Sequence, residues 1–99
     1  MTSIKLRQAS SQYWILSFRG IDCILTRIEK RILENLSFTS PTPRDVLLAK
    51  VYPEKRVRPS KSLLVHLHNL RGKIEPLGLH IDNLNKKGEE ALYILRREG

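Results

Sequence analysis

Cysteine, aromatic rings and long apolar runs are all scarce in this 99-residue chain, and each scarcity removes a class of protein. One cysteine, Cys23, excludes a disulfide framework and a thiolate zinc cluster. Its apolar neighbours Ile21, Ile24 and Leu25 read as the setting of a buried structural thiol, with no helix N-terminus or cation nearby to activate it. No stretch of about 18 apolar residues is present to span a bilayer, and the opening MTSIKLRQAS lacks the apolar centre of a secretory signal. A cytoplasmic protein without membrane contact is expected. A Gly-rich phosphate loop, a Ser–His–acid set and a paired-carboxylate pocket are also missing, so no residue is assigned to catalysis and no cofactor is implied. The chain does not read as an enzyme.

Acid is the other shortage. Against 18 Lys and Arg stand 10 Asp and Glu, a net charge of +8. A field of that sign gathers polyanions over a Debye length, about 10 Å at 0.1 M salt, which makes nucleic acid the leading partner class. A basic solvated surface without a ligand has the same composition, so the placement of the charges has to decide.

What is present is a chain of one-domain length whose hydrophobic pattern changes period along its course. Residues 4–25 carry three short runs, IKLRQ, YWILSF and DCILT, with SFRGID as a turn between the last two, and these predict strands. Alternation along YWIL sends Tyr13 and Ile15 to one face and Trp14 and Leu16 to the other. At TRIEKRILENL a helix is expected, opened by a capping box between Thr26 and Glu29 and striped by Ile28, Ile32, Leu33 and Leu36. TPRDVLLAKVY predicts a second helix with Thr42 as N-cap, Pro43 and Asp45 in the first turn, and Val46, Leu47 and Val51 turned inward. The segment PEKRVRP, with its two prolines, is a loop. A third helix follows, capped by Ser60 or Ser62 and stopped near Glu75 by Pro76 and Gly78. Residues 79–84 and 91–96 then predict a hairpin with the polar tip NKKGEE.

The third helix carries the functional signal. At about 100° per residue, Leu63, Leu67, Leu70 and Ile74 share a narrow arc and form its core side. The opposite arc holds Lys61, Val65, His68, Asn69 and Gly72, with His66 and Lys73 on one flank and Leu64 and Arg71 on the other. Gly72 costs the helix about 1 kcal/mol relative to alanine. No acid occurs between Lys55 and Ile74, whereas solvated helix faces usually mix signs through i,i+4 pairs. Donors, a small apolar side chain and no carboxylate suit the major groove, where donors meet guanine acceptors and methyls meet thymine. The cationic loop residues Lys55, Arg56 and Arg58 and the hairpin-tip residues Lys86 and Lys87 extend the same positive surface. Metal binding is not expected. His66 and His68 lie about 200° apart on a helix and cannot chelate one ion together, since helical ligand pairs need spacings of three or four.

Strands, two helices, a loop, a third helix and a terminal hairpin, taken with three motifs, resemble the C-terminal effector domain of OmpR/PhoB-type response regulators over nearly the whole chain. LTRIEKRIL resembles that family's LT-x-x-E-x-x-LL, TPRDVLLAKVY its S-R-x-x-L-L-x-x-V-W, and LLVHLHNLRGKIEPLG its VDVHI-x-x-LR-x-K-L-E-x-x-G. The resemblance implies an α+β winged helix-turn-helix, with strands in 1–25, a three-helix unit in 26–75 and a wing hairpin in 79–96. It implies a sequence-specific regulator of transcription on double-stranded DNA, with a recognition helix at about 60–75 in the major groove and a nucleoid-associated location. Carried over by position, Val65 meets a thymine methyl, Asn69 reaches base edges, His66, His68 and Arg71 hold phosphate or base, and Lys86 and Lys87 are wing contacts. Asn69 and His68 stand where the family often has arginines, which moves the expected preference toward adenine. Glu89 and Glu90 in the wing would repel a phosphate that they faced. The resemblance further implies contact with RNA polymerase through the 52–59 loop and homodimers on repeated half-sites. The first strand begins almost at Met1, so a stand-alone regulator or an excised domain, without a receiver, is expected. A winged-helix adaptor that binds RNA polymerase or another regulator through Leu64, Val65 and Trp14 is the alternative.

Overall fold

Arg19 and Gly20 both take positive φ, 53° and 75°, the backbone of a two-residue hairpin turn whose twist matches that of its flanking strands. The turn joins β2 (Tyr13–Phe18) to β3 (Ile21–Thr26), and β1 (Lys5–Gln8) pairs with the other edge of β2 to complete an antiparallel sheet in the order β1-β2-β3. This computed structural model describes residues 4–54, 60–85 and 90–98 of the chain. The alternation expected along β2 holds: Leu16 and Phe18 are buried, Trp14 is half-buried beside them, and Tyr13 faces outward. Trp14 is also covered by Lys30, whose ammonium lies 5.0 Å from the ring centre, so it drops out of the expected docking patch.

The chain enters α1 (Arg27–Glu34) through the expected capping box. Glu29 N–H donates to Thr26 Oγ1 at 3.3 Å and Thr26 N–H donates to Glu29 Oε1 at 2.8 Å, which satisfies two of the amides a helix start leaves unpaired. Asn35 ends the helix, its amide donating back to the Arg31 carbonyl at 2.7 Å.

The start of α2 (Arg44–Val51) corrects the expected cap. Thr42 and Pro43 form a short strand, β4, and Thr42 Oγ1 donates backward to the Asn35 carbonyl instead of accepting from the helix. The helix is capped from across the chain: Arg44 N–H donates to the Ala91 carbonyl at 3.0 Å and Asp45 N–H to Glu90 Oε1 at 3.0 Å. Glu90 therefore faces the positive end of α2. The inward residues are Leu47, Leu48 and Val51, while Val46 is exposed. Val46 sits one step of about 100° before Leu47, on the far side from Leu48 and Val51, and so turns away from the core.

The third helix, α3 (Ser60–Ile74), begins at Ser60, so Ser60 and Ser62 lie within its first turn and the capping position falls outside the described residues. A 3₁₀ turn at Glu75–Leu77 and Gly78, at φ 79°, stop it where the sequence indicates. A second antiparallel sheet, in the order β4-β6-β5, is built from β5 (Leu79–Asn83), β6 (Leu92–Arg97) and β4. The result is an α+β fold with three helices and two small antiparallel sheets among the described residues. One apolar cluster joins Leu16, Phe18 and Leu25 of the first sheet to Ile32, Leu47, Leu63, Leu67 and Leu70 of the helices and Leu79, Tyr93 and Leu95 of the second sheet. Each fully buried leucine in it contributes about 1.5–3 kcal/mol. No described helix is long and apolar enough to cross a membrane.

Gly78 is a tight point of this architecture. A Cβ there would stand 2.9 Å from Arg19 Nη1, on a backbone that L-residues rarely adopt, and Arg19 reaches past it to donate to the Glu98 carbonyl. Gly78→Ala is expected to lower stability by about 1–2 kcal/mol, read as a lower urea midpoint at unchanged m-value.

Candidate nucleic-acid interface

The inner arc of α3 is set as its sequence period demands: Leu63, Leu67, Leu70 and Ile74 are each 0% exposed. That orientation turns Lys61, Val65, His68, Asn69 and Gly72 outward, and all five are exposed. His66 is half-buried on one flank, and Leu64 on the other is 46% exposed. The outer face keeps the character read from the sequence: donors and small apolar groups, with no carboxylate from Ser60 to Ile74.

Two of the expected contact residues are already engaged within the fold. Arg71 is half-buried, and its Nε donates to the Ile81 carbonyl of β5 at 3.1 Å, which ties the helix to the terminal hairpin. Lys73 points the other way, its Nζ 2.6 Å from Oε1 of Glu29, a carboxylate only 2% exposed. An isolated buried carboxylate is costly, so this ammonium completes the Glu29 site that the capping box begins. Lys73 is thus tied to the fold, although its side chain remains 37% exposed. Arg71 anchors the opposite flank.

Sequence reasoning missed the Glu29–Lys73 pair, although half of the signal was there. Glu29 precedes Ile32 and Leu33 by three and four residues, which puts it on the inner face of α1. A buried acid requires a partner, but a partner 44 positions away cannot be read from local spacing.

The remaining expected contacts, Lys55, Arg56 and Arg58 in the loop and Lys86 and Lys87 in the hairpin tip, lie outside the described residues. Glu90, expected to oppose phosphate from the hairpin, has its carboxylate at the start of α2. A shallow hollow between α3 and β5 is lined by Arg71, Glu75, Leu79, His80, Ile81 and Asp82. Both signs of charge line it, and His80 Nε2 pairs with Glu98 Oε1 at 2.8 Å, so it offers no concentrated site for an anion.

Cys23 is half-buried on β3. Burial pushes its thiol up from the ordinary range, opposed by Lys73 and reinforced by Glu29 and Asp22. The protonated form is favoured, and the thiolate that a nucleophile needs is disfavoured. Among the described residues no three His, Cys, Asp or Glu side chains cluster as metal ligands. Comparison with family models, curated proteins and solved structures finds no match to the chain.

Lys73→Met removes the partner of a buried carboxylate while keeping most of the side chain's length. It is expected to lower unfolding stability by about 1–3 kcal/mol at neutral pH, with the half-exposed position of the lysine holding the loss below that of a fully buried pair. Denaturant titration of Lys73→Met, Glu29→Gln and the double variant reads the coupling, which is expected to be favourable and non-additive.

Proposed function

We propose that the chain is a winged helix-turn-helix of the OmpR/PhoB effector kind, a sequence-specific double-stranded DNA-binding regulator of transcription that lays α3 in the major groove. The observation that carries this reading is the outer face of α3, where Lys61, Val65, His68 and Asn69 are exposed together without a carboxylate among them. Two further features support it. The element order matches that resemblance, and β4 adds a third strand to the terminal hairpin.

The proposed roles follow from chemistry. Asn69, with a donor and an acceptor on one amide, fits the N6 and N7 edge of adenine, and the Val65 methyls fit the thymine methyl. Lys61 and His68 hold phosphate or base, with Lys55, Arg56, Arg58, Lys86 and Lys87 as the wider electrostatic surface. His66, half-buried, contributes from the flank. The chain acts without catalysis, and its 52–59 segment meets RNA polymerase when copies sit on repeated half-sites.

A second reading, a winged-helix adaptor for a protein partner, is favoured by one observation. Val65, Leu64 and Val46 are 58%, 46% and 46% exposed, which places apolar surface on α2 and α3 where a protein could cover it.

Titration of duplexes selected by the chain from a random-sequence pool separates the two. Affinity is expected to fall steeply as salt rises, with a log–log slope of about −0.9 per phosphate neutralised. Asn69→Ala is expected to relax selection by about 1–3 kcal/mol at one or two base pairs, and Lys61→Ala to weaken all duplexes alike. Equal binding of every duplex, indifferent to salt and to both substitutions, would sink the regulator. Recovery of a protein partner with no duplex bound at physiological salt would move the assignment to the adaptor.

A further inference from the structure

A glycine on an exposed helical face weakens the helix relative to alanine. Nothing in the described fold uses the missing side chain of Gly72, which lies in the last turn of α3. It is not among the residues with positive φ, unlike Gly20 and Gly78, so its backbone suits any L-residue. A Cβ built on it meets nothing within 4 Å, so no neighbouring element requires the space. Its direction is outward: at about 100° per residue it points about 180° from Leu63, the centre of the buried arc. Asn69, His68 and Val65 precede it by three, four and seven residues and share that face.

We infer that Gly72 is a clearance notch, at which the sugar-phosphate wall of a bound duplex seats against the backbone of α3. The inference rests on the groove-binding reading of this helix. With 15 residues α3 is about 22 Å long, whereas the major groove is about 12 Å wide. A helix inserted obliquely therefore meets a wall of the groove before its length is used up. Gly72 lies near the C-terminal end, one turn beyond the base-reading candidates Asn69 and His68, where that wall would cross. Duplex fits the notch better than a protein surface does, because its nearest outward neighbours offer hydrogen-bond donors and phosphate offers acceptors. Glu75, exposed one turn further on, marks where the seat ends.

The inference makes stability and binding move in opposite directions. Gly72→Ala is expected to raise the melting temperature, because the helix gains propensity and the methyl enters open space. The same methyl is expected to weaken binding of a duplex selected by the unmodified chain by about tenfold, through overpacking at the contact. Thermal melts and anisotropy titrations of the full chain, run in one buffer, read both. A stabilised variant that binds as tightly as the unmodified chain overturns the notch and leaves the groove reading standing. A variant that melts lower overturns it as well, since Gly72 would then serve the fold. Failure of the unmodified chain to bind any duplex across the salt range overturns the notch and the groove reading together.

Discussion

The buried carboxylate of Glu29 is the constraint on which the arrangement of this molecule depends. A charge that is 2% exposed must be hydrogen-bonded and paired. Glu29 meets that demand by accepting from Thr26 N–H at 2.8 Å and from Lys73 Nζ at 2.6 Å, both on Oε1. The first bond fixes where β3 becomes α1. The second fixes how α3 lies against α1. One side chain thereby joins the end of the first sheet, the first helix and the last, and it specifies their relative placement more sharply than apolar contacts alone. Apolar burial is non-directional, whereas a hydrogen bond to a buried carboxylate has a preferred distance and angle.

A second junction braces the other side. The start of α2 borrows its caps from residues that lead into β6, through the Ala91 carbonyl and the Glu90 carboxylate, and β4 runs directly into the same region by pairing Thr42 with Tyr93. Arg71 then ties α3 to β5, the partner strand of β6. The second sheet is in this way bonded to α2 and α3, and α3 is held on both flanks by cations that a charge count assigns to the surface. Net charge thus overstates the positive groups α3 presents: Lys73 is paired with Glu29, and Arg71 commits its Nε to the Ile81 carbonyl while keeping its charge.

The sequence was most legible where the governing interaction is local. The capping box at Thr26 and Glu29, the period of Leu63, Leu67, Leu70 and Ile74, the turn at Arg19 and Gly20, and the stop at Gly78 each depend on residues a few positions apart, and the structure places them as read. What escaped reading is non-local. Thr42 has the chemistry of an N-cap, but its strand pairing to Tyr93 and the rival acceptor Glu90 displaced it. Trp14 looked like a free aromatic, yet Lys30 of the next helix covers its ring. Lys73 looked like one more outward cation because its acid lies 44 residues upstream. The outward set Lys61, Val65, His68 and Asn69 was legible for a different reason: it is defined by what the core side excludes, and the core side follows from period alone.

Pinning both flanks of α3 also bears on what the helix can do. A binding surface loses affinity to every side chain and element it must order on contact, so a helix already fixed in rotation presents its outward residues at less cost than a loosely packed one. Rotation of α3 by one residue, about 100°, would carry Asn69 from the outer face toward the inner arc. The bonds of Arg71 on one side and Lys73 on the other oppose rotation in both senses, because either direction breaks one of them. The two cations thereby hold the register in which α3 turns Val65 and Asn69 outward.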